Sequence, residues 1–424
     1  MDPMMITFLI LIAAMILYAT EKIPLAATSI LIVIGLSLTG VLTASEALSG
    51  FSNTTVVLFA GIFVLGGALE RTSISTKIGN TLYRFKDDER MLITMTIAVT
   101  TAFSAFLSNT AVAAILLPIV LSICKSMNMS PSKLLLPMAT GAVMGGGITL
   151  IGGPGNAATV AALETITNGA DTYAFFDFTI AGLPLALVAV GYVWLVGWKF
   201  LPDNPVDFDT IEIKERGAEN RLSPGQEKIT YTVILITVLA LIFSSQIGVD
   251  TWLIAMIGAI VLLLTGVMPE KEALGAISWK TLIMFAGVLP LTDALQKTGA
   301  ADQIGGWIVG LIGGSANVFL ITAVVFGLSA IVTQFMSNTA SLALLCPLAG
   351  IIATQLGADP RSLIMAAASG CALSICTPIG APPQALIYGP GRYKFMDYVI
   401  FAGPILLLCW LFGTIYLPLV WPYF

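Results

Sequence analysis

Two tripeptides sit where polar side chains are hardest to accommodate. Ser108-Asn109-Thr110 and Ser337-Asn338-Thr339 each fall in the middle of a long apolar run. The first run reads Thr101-Ala102-Phe103-Ser104-Ala105-Phe106-Leu107-Ser108-Asn109-Thr110-Ala111, the second Ile331-Val332-Thr333-Gln334-Phe335-Met336-Ser337-Asn338-Thr339-Ala340. Hydroxyl and amide oxygens suit Na⁺, and backbone N–H groups freed at a hairpin tip can face an anion. Ser and Thr also pack membrane helices together, but two such clusters at matching positions favour binding. Ser52-Asn53-Thr54 differs: it precedes an apolar run and its counterpart is Ser278-Trp279-Lys280, so it reads as a helix cap.

A second pair of signals follows the first. Gly145-Gly146-Gly147-Ile148-Thr149-Leu150-Ile151-Gly152-Gly153-Pro154-Gly155-Asn156 is matched by Ser374-Ile375-Cys376-Thr377-Pro378-Ile379-Gly380-Ala381-Pro382-Pro383-Gln384. Gly and Pro clustered inside an apolar run unwind a helix, and the bared carbonyls are tolerated at membrane depth only where they line a cavity or are buried in protein. Each run therefore reads as a broken helix, with Pro154 and Pro382 starting the second half-helices and the positive dipole ends pointing at the break.

The elements that must position these residues are set by composition. Of 424 residues, 57% are hydrophobic and 10% charged, with a mean hydropathy of +0.95, against about 25% charged in a soluble domain. A soluble enzyme is excluded, and at roughly 20 apolar residues per crossing the length allows about ten spans. The net charge of −5 and the absence of a basic patch give no sign of nucleic-acid binding. The chain has no histidine, which removes His-based metal sites, proton relays and Ser–His catalysis. Cys124, Cys346, Cys371, Cys376 and Cys409 form no spaced pair and read as small apolar residues. The N-terminus lacks the basic region and cleavage site of a signal peptide, so the first run is expected to be a retained helix.

Apolar runs fall at about 4–20, 24–42, 54–70, 91–123, 134–165 and 176–199, then at 229–246, 251–268, 279–296, 316–354, 362–390 and 397–420. The two sets are related. Leu38-Thr39-Gly40-Val41 recurs as Leu264-Thr265-Gly266-Val267, Glu46-Ala47-Leu48 as Glu272-Ala273-Leu274 and Phe59-Ala60-Gly61 as Phe285-Ala286-Gly287, all at an offset of 226. SNTAVAAILLP (108–118) returns as SNTASLALLCP (337–347) at an offset of 229.

With 91–123 and 316–354 taken as re-entrant hairpins and every other block as one span, all of the nineteen Lys and Arg except Lys297 and Arg361 fall on one side, which the positive-inside rule makes cytoplasmic. Each half then has five spans, so the second enters the membrane the opposite way and both termini lie outside. The expectation is an all-α polytopic membrane protein of two inverted-topology repeats, each with three helices, a re-entrant hairpin, a broken helix and a final helix. Residues 1–200 form the first repeat (hairpin about 91–123, broken helix about 134–165), 201–228 a cytoplasmic linker, and 229–424 the second (hairpin about 316–354, broken helix about 362–390). This is the usual build of secondary transporters.

On these motifs and their order, from about residue 4 to 420, the sequence resembles the divalent-anion/sodium symporters, the DASS or INDY-type transporters. The resemblance implies a Na⁺-coupled symporter of a small divalent anion, a di- or tricarboxylate or sulfate, working as a homodimer by an elevator motion of the hairpin-bearing domain; compactness and the missing targeting signals lead to the expectation of a prokaryotic inner membrane. The resemblance also implies two or more Na⁺ sites, one from Ser104, Ser108, Asn109 and Gly152, the other from Thr333, Met336, Asn338 and Gly380. The anion would lie between Asn109-Thr110 and Ser337-Asn338-Thr339, flanked by Gly153-Pro154 and Ala381-Pro382. The chain departs from the family's Thr-Pro-Pro-Asn-like break at both Gly153-Pro154-Gly155-Asn156 and Ala381-Pro382-Pro383-Gln384, and the extra N-terminal span of better-known members is not expected in it, in keeping with an outside N-terminus.

Charge balance argues for coupling independently. No Lys or Arg lies at either tip or break, so a dianion at mid-membrane needs accompanying cations. A proton-coupled antiporter or oxyanion exporter of similar architecture is the alternative, disfavoured because neither tip carries a carboxylate. A passive anion channel ranks third. Glu70 and Asp293, near the ends of the third helix of each half at non-equivalent positions, are expected to cap or pair rather than transport. Residues 73–86 place Ile74, Ile78, Leu82 and Phe85 on one face and read as an interfacial helix.

Overall fold

The computed structural model describes residues 2–20, 22–153, 155–205, 222–300, 303 and 317–423. Most of the expected linker, and Pro154, lie outside the described residues, as does the structure between the third helix and the hairpin of the second half. Among the described residues every regular element is a helix.

The first half comprises α1 (Pro3–Thr20), α2 (Leu25–Leu38), α3 (Thr54–Glu70), α4 (Ile74–Tyr83), α5 (Glu89–Ser104), α6 (Asn109–Met127), α7 (Ser132–Gly145), α8 (Asn156–Ile166) and α9 (Asp177–Leu195). The second comprises α10 (Pro224–Ile242), α11 (Thr251–Leu264), α12 (Glu270–Ala276), α13 (Trp279–Lys297), α14 (Val318–Val332), α15 (Asn338–Gln355), α16 (Pro360–Cys371), α17 (Pro382–Tyr388) and α18 (Phe395–Val420). Single helical turns at Ala44–Ala47 and Ser244–Ile247 complete the connections.

Sequence repeats become packing repeats. Gly40 and Gly266 of the Leu-Thr-Gly-Val strings have φ of +72° and +69°, the left-handed conformation that stops α2 and α11 and that glycine adopts without strain. Gly61 and Gly287 sit where helices cross: α3 meets α11 and α13 meets α2. A Cβ on Gly61 would lie 2.9 Å from the carbonyl carbon of Ala255, and one on Gly287 2.7 Å from Ser29 Cβ. The Glu-Ala-Leu pair also has a use. Glu46 binds Lys297 at 2.8 Å and Glu272 binds Arg71 at 2.5 Å, so the end of each third helix is tied to the other half's second connection.

These helices form one body, α1–α3 with α10–α13. The remainder form another, in which α5 packs on α7, α14 on α16, α8 on α15, α17 on α6, and α9 on α18. Each hairpin returns to the end it came from. Lys133, just past α6, pairs with Glu89 at the start of α5 at 2.9 Å. Tyr423 joins the start of α14 to the end of α15 through the Thr322 hydroxyl (2.5 Å) and the Asp359 N–H (2.8 Å).

Among the described residues five helices are long and apolar enough to cross a bilayer, α6, α9, α10, α15 and α18, and the bent pair α12–α13 adds a sixth. The second limb of each hairpin thus has the dimensions of a full span, although 72% of the apolar window of α15 is buried inside the protein. Asn53 caps α3, accepting from Thr55 N–H at 2.8 Å. The helix expected at 73–86 is present as α4, packed on α5 and α6. The side chains of Ile74 and Ile78 lie outside the described residues, while Leu82 is fully buried. All five cysteines are buried and free.

Candidate functional site

Each hairpin tip is a helix start. Ser108 caps α6, accepting from Ala111 N–H at 3.3 Å, and Ser337 caps α15, accepting from Ala340 N–H at 3.4 Å. The next residues, Asn109-Thr110 and Asn338-Thr339, are therefore first-turn residues with N–H groups unused by the helix.

The tips close on the breaks by hydrogen bonds that recur between halves. Thr149 Oγ1 donates to the Ala105 carbonyl and accepts from Gly152 N–H at 3.1 Å. Thr377 Oγ1 donates to the Gln334 carbonyl at 2.6 Å and accepts from Gly380 N–H at 3.1 Å. Ser104 Oγ donates to the Ala142 carbonyl at 2.6 Å, and Thr333 Oγ1 to that of Cys371 at 3.3 Å. Asn338 N–H reaches the Gly380 carbonyl at 3.2 Å. The Asn109 amide packs against Gly146, leaving no room there for a Cβ.

Ser374 Oγ and both amide atoms of Gln384 in the second break are buried without a partner among the described residues, and two further atoms, one in each tip, form a matched pair. Asn109 Oδ1 and Asn338 Oδ1 are buried with no hydrogen-bond partner among the described residues, and they occupy equivalent positions of the two tips. A buried amide oxygen without a donor is disfavoured; a small cation suits it. Around them are the other residues expected for Na⁺. Carbonyls of Ser104 and Ala105 lie 2.9 Å from a Cβ built on Gly152, and that of Thr333 lies 3.0 Å from one built on Gly380. Met336 is buried within the second tip.

Both tips open into a cavity of about 440 Å³, within the range of small-molecule sites. Its wall contains Ser108, Asn109, Thr110, Ser337, Asn338, Thr339, Ala381 and Pro382. Of the anion residues expected from sequence, Gly153 is not in the wall; it packs against the Gly146 carbonyl, and Gly155 takes its place. Helices α6, α8, α15 and α17 thus all begin at this cavity and turn their positive dipole ends toward it; the first-turn N–H groups come from Asn109, Thr110 and Thr339, since the Asn338 N–H is bound to the Gly380 carbonyl and α17 opens on Pro382-Pro383, which carry none. The opposite wall comes from α3, α10 and α13, and it extends to Glu70, Ser278 and Lys280.

Three contributions were not read from the sequence. Gln334 clamps the second tip to its break, donating through Nε2 to Ala330 and Leu373 carbonyls at 2.7 Å each and accepting at Oε1 from Cys376 N–H at 2.9 Å. In the first half Asn156 braces the break on itself, with Nδ2 donating to Gly146 and Thr149 carbonyls at 2.9 and 2.7 Å. Glu70, expected as a cap or ion-pair partner, lines the cavity instead, and Lys280 shares it. Asp293 is absent from the wall.

The citrate transporter family (CitMHS) matches residues 15–370. The chain is 28% identical to an uncharacterised transporter of Haemophilus influenzae over 409 residues, covering 91% of this chain and 85% of the relative. It is 27% identical to the sodium-dependent dicarboxylate transporter SdcS of Staphylococcus aureus over 414 residues, covering 88% and 78%. The solved YdaH transporter of Alcanivorax borkumensis shares the fold, with a TM-score of 0.63 over 99% of this chain and 98% of that one at 14% identity. With the apolar helices and the tip-lined cavity already described, these matches mean that the chain belongs to the citrate transporter family and is a multi-pass membrane transporter of the divalent-anion/sodium symporter type, not an enzyme.

Proposed function

We propose that the protein is a Na⁺-coupled symporter of a small divalent carboxylate, binding the anion between the two hairpin tips with Na⁺ beside each. The observation that carries this reading is the convergence of four helix starts and two unpartnered asparagine oxygens on one cavity. N–H groups and positive dipole ends favour carboxylates, while the amide oxygens and bared carbonyls favour Na⁺. The cation partly neutralises the dianion, so each ligand completes the other's site. The substrate named for the SdcS relative supports the same class.

The cavity wall reaches residues at the Lys280 end and none at the Glu46–Lys297 end. If the basic end is cytoplasmic, this is an inward-facing arrangement. Two inverted repeats, both termini outside and alternating access by movement of the hairpin body against α1–α3 and α10–α13 follow from the same reading. The return of each hairpin to its own end and the recurring tip contacts support it. A homodimer in the inner membrane is the assembly expected of this transporter type.

The test is uptake of labelled succinate into proteoliposomes under an inward Na⁺ gradient, with choline replacing Na⁺ as control and citrate or sulfate as competitor. Concentrative uptake in Na⁺ but not in choline is the expected result; none from folded protein overturns the assignment. Glu70 in the cavity wall favours one other reading, a proton-coupled exchanger. That reading requires uptake to follow a pH gradient in the absence of Na⁺.

A further inference from the structure

The two tip-and-break units share their Ser caps, the Thr149/Thr377 bonds and the Ser104/Thr333 bond, and the places where they differ are informative. Where the first break opens with three glycines, the second has Ser374. Ser374 is fully buried, and its hydroxyl has no partner among the described residues. It lies beside Gly380: a Cβ built there would be 3.4 Å from Ser374 Cβ, 3.3 Å from Thr377 Oγ1 and 3.0 Å from the Thr333 carbonyl.

The neighbouring hydroxyls are already committed. Thr377 donates to Gln334 and accepts from Gly380 N–H, and Thr333 donates to Cys371. The Gln334 amide is already bonded to Ala330 in α14 and to Leu373 and Cys376 at the break. Asn338 Oδ1 and Ser374 Oγ are buried oxygens beside Gly380 with no partner among the described residues, and the Gln384 amide, four residues further along the break, is a third unpartnered group. Asn338 is fixed there by its own N–H on the Gly380 carbonyl, 3.2 Å away.

We propose that Ser374 Oγ is a ligand of the Na⁺ bound beside the second tip, an oxygen the first half lacks, and that the two Na⁺ sites therefore differ in affinity. The proposal rests on the Na⁺-coupled reading and adds to it a residue and an inequality. A hard oxygen gained by one site strengthens it for Na⁺, and substitution by glycine makes the second site resemble the first.

Two titrations test this on the purified full-length protein: Na⁺-dependent thermal stabilisation without anion, and Na⁺ activation of succinate uptake in proteoliposomes. In Ser374→Ala and Ser374→Gly, the Na⁺ concentration at half-effect is expected to rise about tenfold in both assays, the equivalent of one charge-assisted contact. Ser374→Cys keeps the size but replaces the hard oxygen with soft sulfur, so it should shift as Ser374→Ala does. If Ser374→Cys titrates like the parent while Ser374→Ala does not, the side chain only fills space and the proposal fails. A uniform loss of melting temperature at all Na⁺ concentrations, with an unchanged midpoint, assigns the hydroxyl to packing or a buried water and also overturns it. If the parent protein itself shows no Na⁺ dependence, the coupled reading fails first, an outcome distinct from a parent that responds and a variant that responds equally.

Discussion

Asn109 and Asn338 were visible in the sequence because an amide in the middle of an apolar run needs a reason, and the same amide at the same place in a repeat needs the same reason. Their orphaned oxygens give that reason a location. Replacing either with alanine removes one oxygen from the proposed Na⁺ site, and Na⁺-dependent uptake should fall at least about tenfold per variant in protein that remains monodisperse. Gln334, Glu70 and Ser374 were not legible in this way. Each looks like an ordinary polar residue near a helix end, and its role is set by neighbours that only the tertiary structure supplies. Glu70→Gln separates the two coupling modes: Na⁺-driven uptake should persist in it, whereas a proton-coupled exchanger should lose its response to a pH gradient. Outside the apolar segments, the Lys297 ammonium together with the Thr43 N–H and hydroxyl lowers the Glu46 carboxyl from 4.5 to about 2. A carboxyl held lower in the folded state adds stability above its unfolded value, and that contribution disappears as pH falls from 4.5 towards 2. Melting temperatures of the parent and Glu46→Gln should therefore converge across that interval; parallel curves would show that the pair contributes nothing.

Helices and hairpins were largely legible, because apolar blocks, Gly/Pro clusters and an internal repeat all marked the same boundaries. The hairpin limbs α5–α6 and α14–α15 and the halves of each broken helix begin and end within a few residues of the expected runs. Less legible was how short some elements are. The 14 residues of α2 and α11 rise about 21 Å, less than the ~30 Å hydrocarbon core, because a left-handed glycine stops each early. Pattern also left open which helices cross. The repeated Phe-Ala-Gly string announced an equivalence without saying that its glycine is the contact point. Gly287→Val would drive a branched side chain into the Ser29 backbone of α2, a clash expected to destabilise by about 1–3 kcal/mol. Gly191 in α9 faces open space instead, and Gly191→Ala should be neutral or stabilising by up to about 1 kcal/mol. Thermal unfolding in detergent compares the two; equal effects would mean that the α2–α13 crossing is not tight.

At the scale of the molecule, the body of hairpins and broken helices touches the other body unevenly. Helix α13 packs on both α8 and α15, while α3 leaves the cavity open beside the tips and meets the hairpin body chiefly at α8. There, at the end opposite Lys280, Thr55 of α3 donates to the Glu164 carboxylate of α8 at 2.7 Å, and Thr172 donates to its other oxygen at 3.0 Å. A transport cycle that moves the hairpin body relative to α3 must separate Thr55 from Glu164. Thr55→Cys combined with Glu164→Cys should therefore cross-link with a short bifunctional thiol reagent, and the native cysteines, all buried, should compete little. Cross-linking is expected to abolish uptake and a reducible linker to restore it on reduction, while each single variant keeps at least part of its activity. Excess Na⁺ and succinate should slow the cross-linking by drawing the protein out of this arrangement, since a ligand shifts a conformational equilibrium by its differential affinity for the two states. Full uptake by the cross-linked protein would mean that α3 and α8 move together, and the moving boundary would then have to be sought elsewhere, with the α13 contacts to α8 and α15 the next pair to lock.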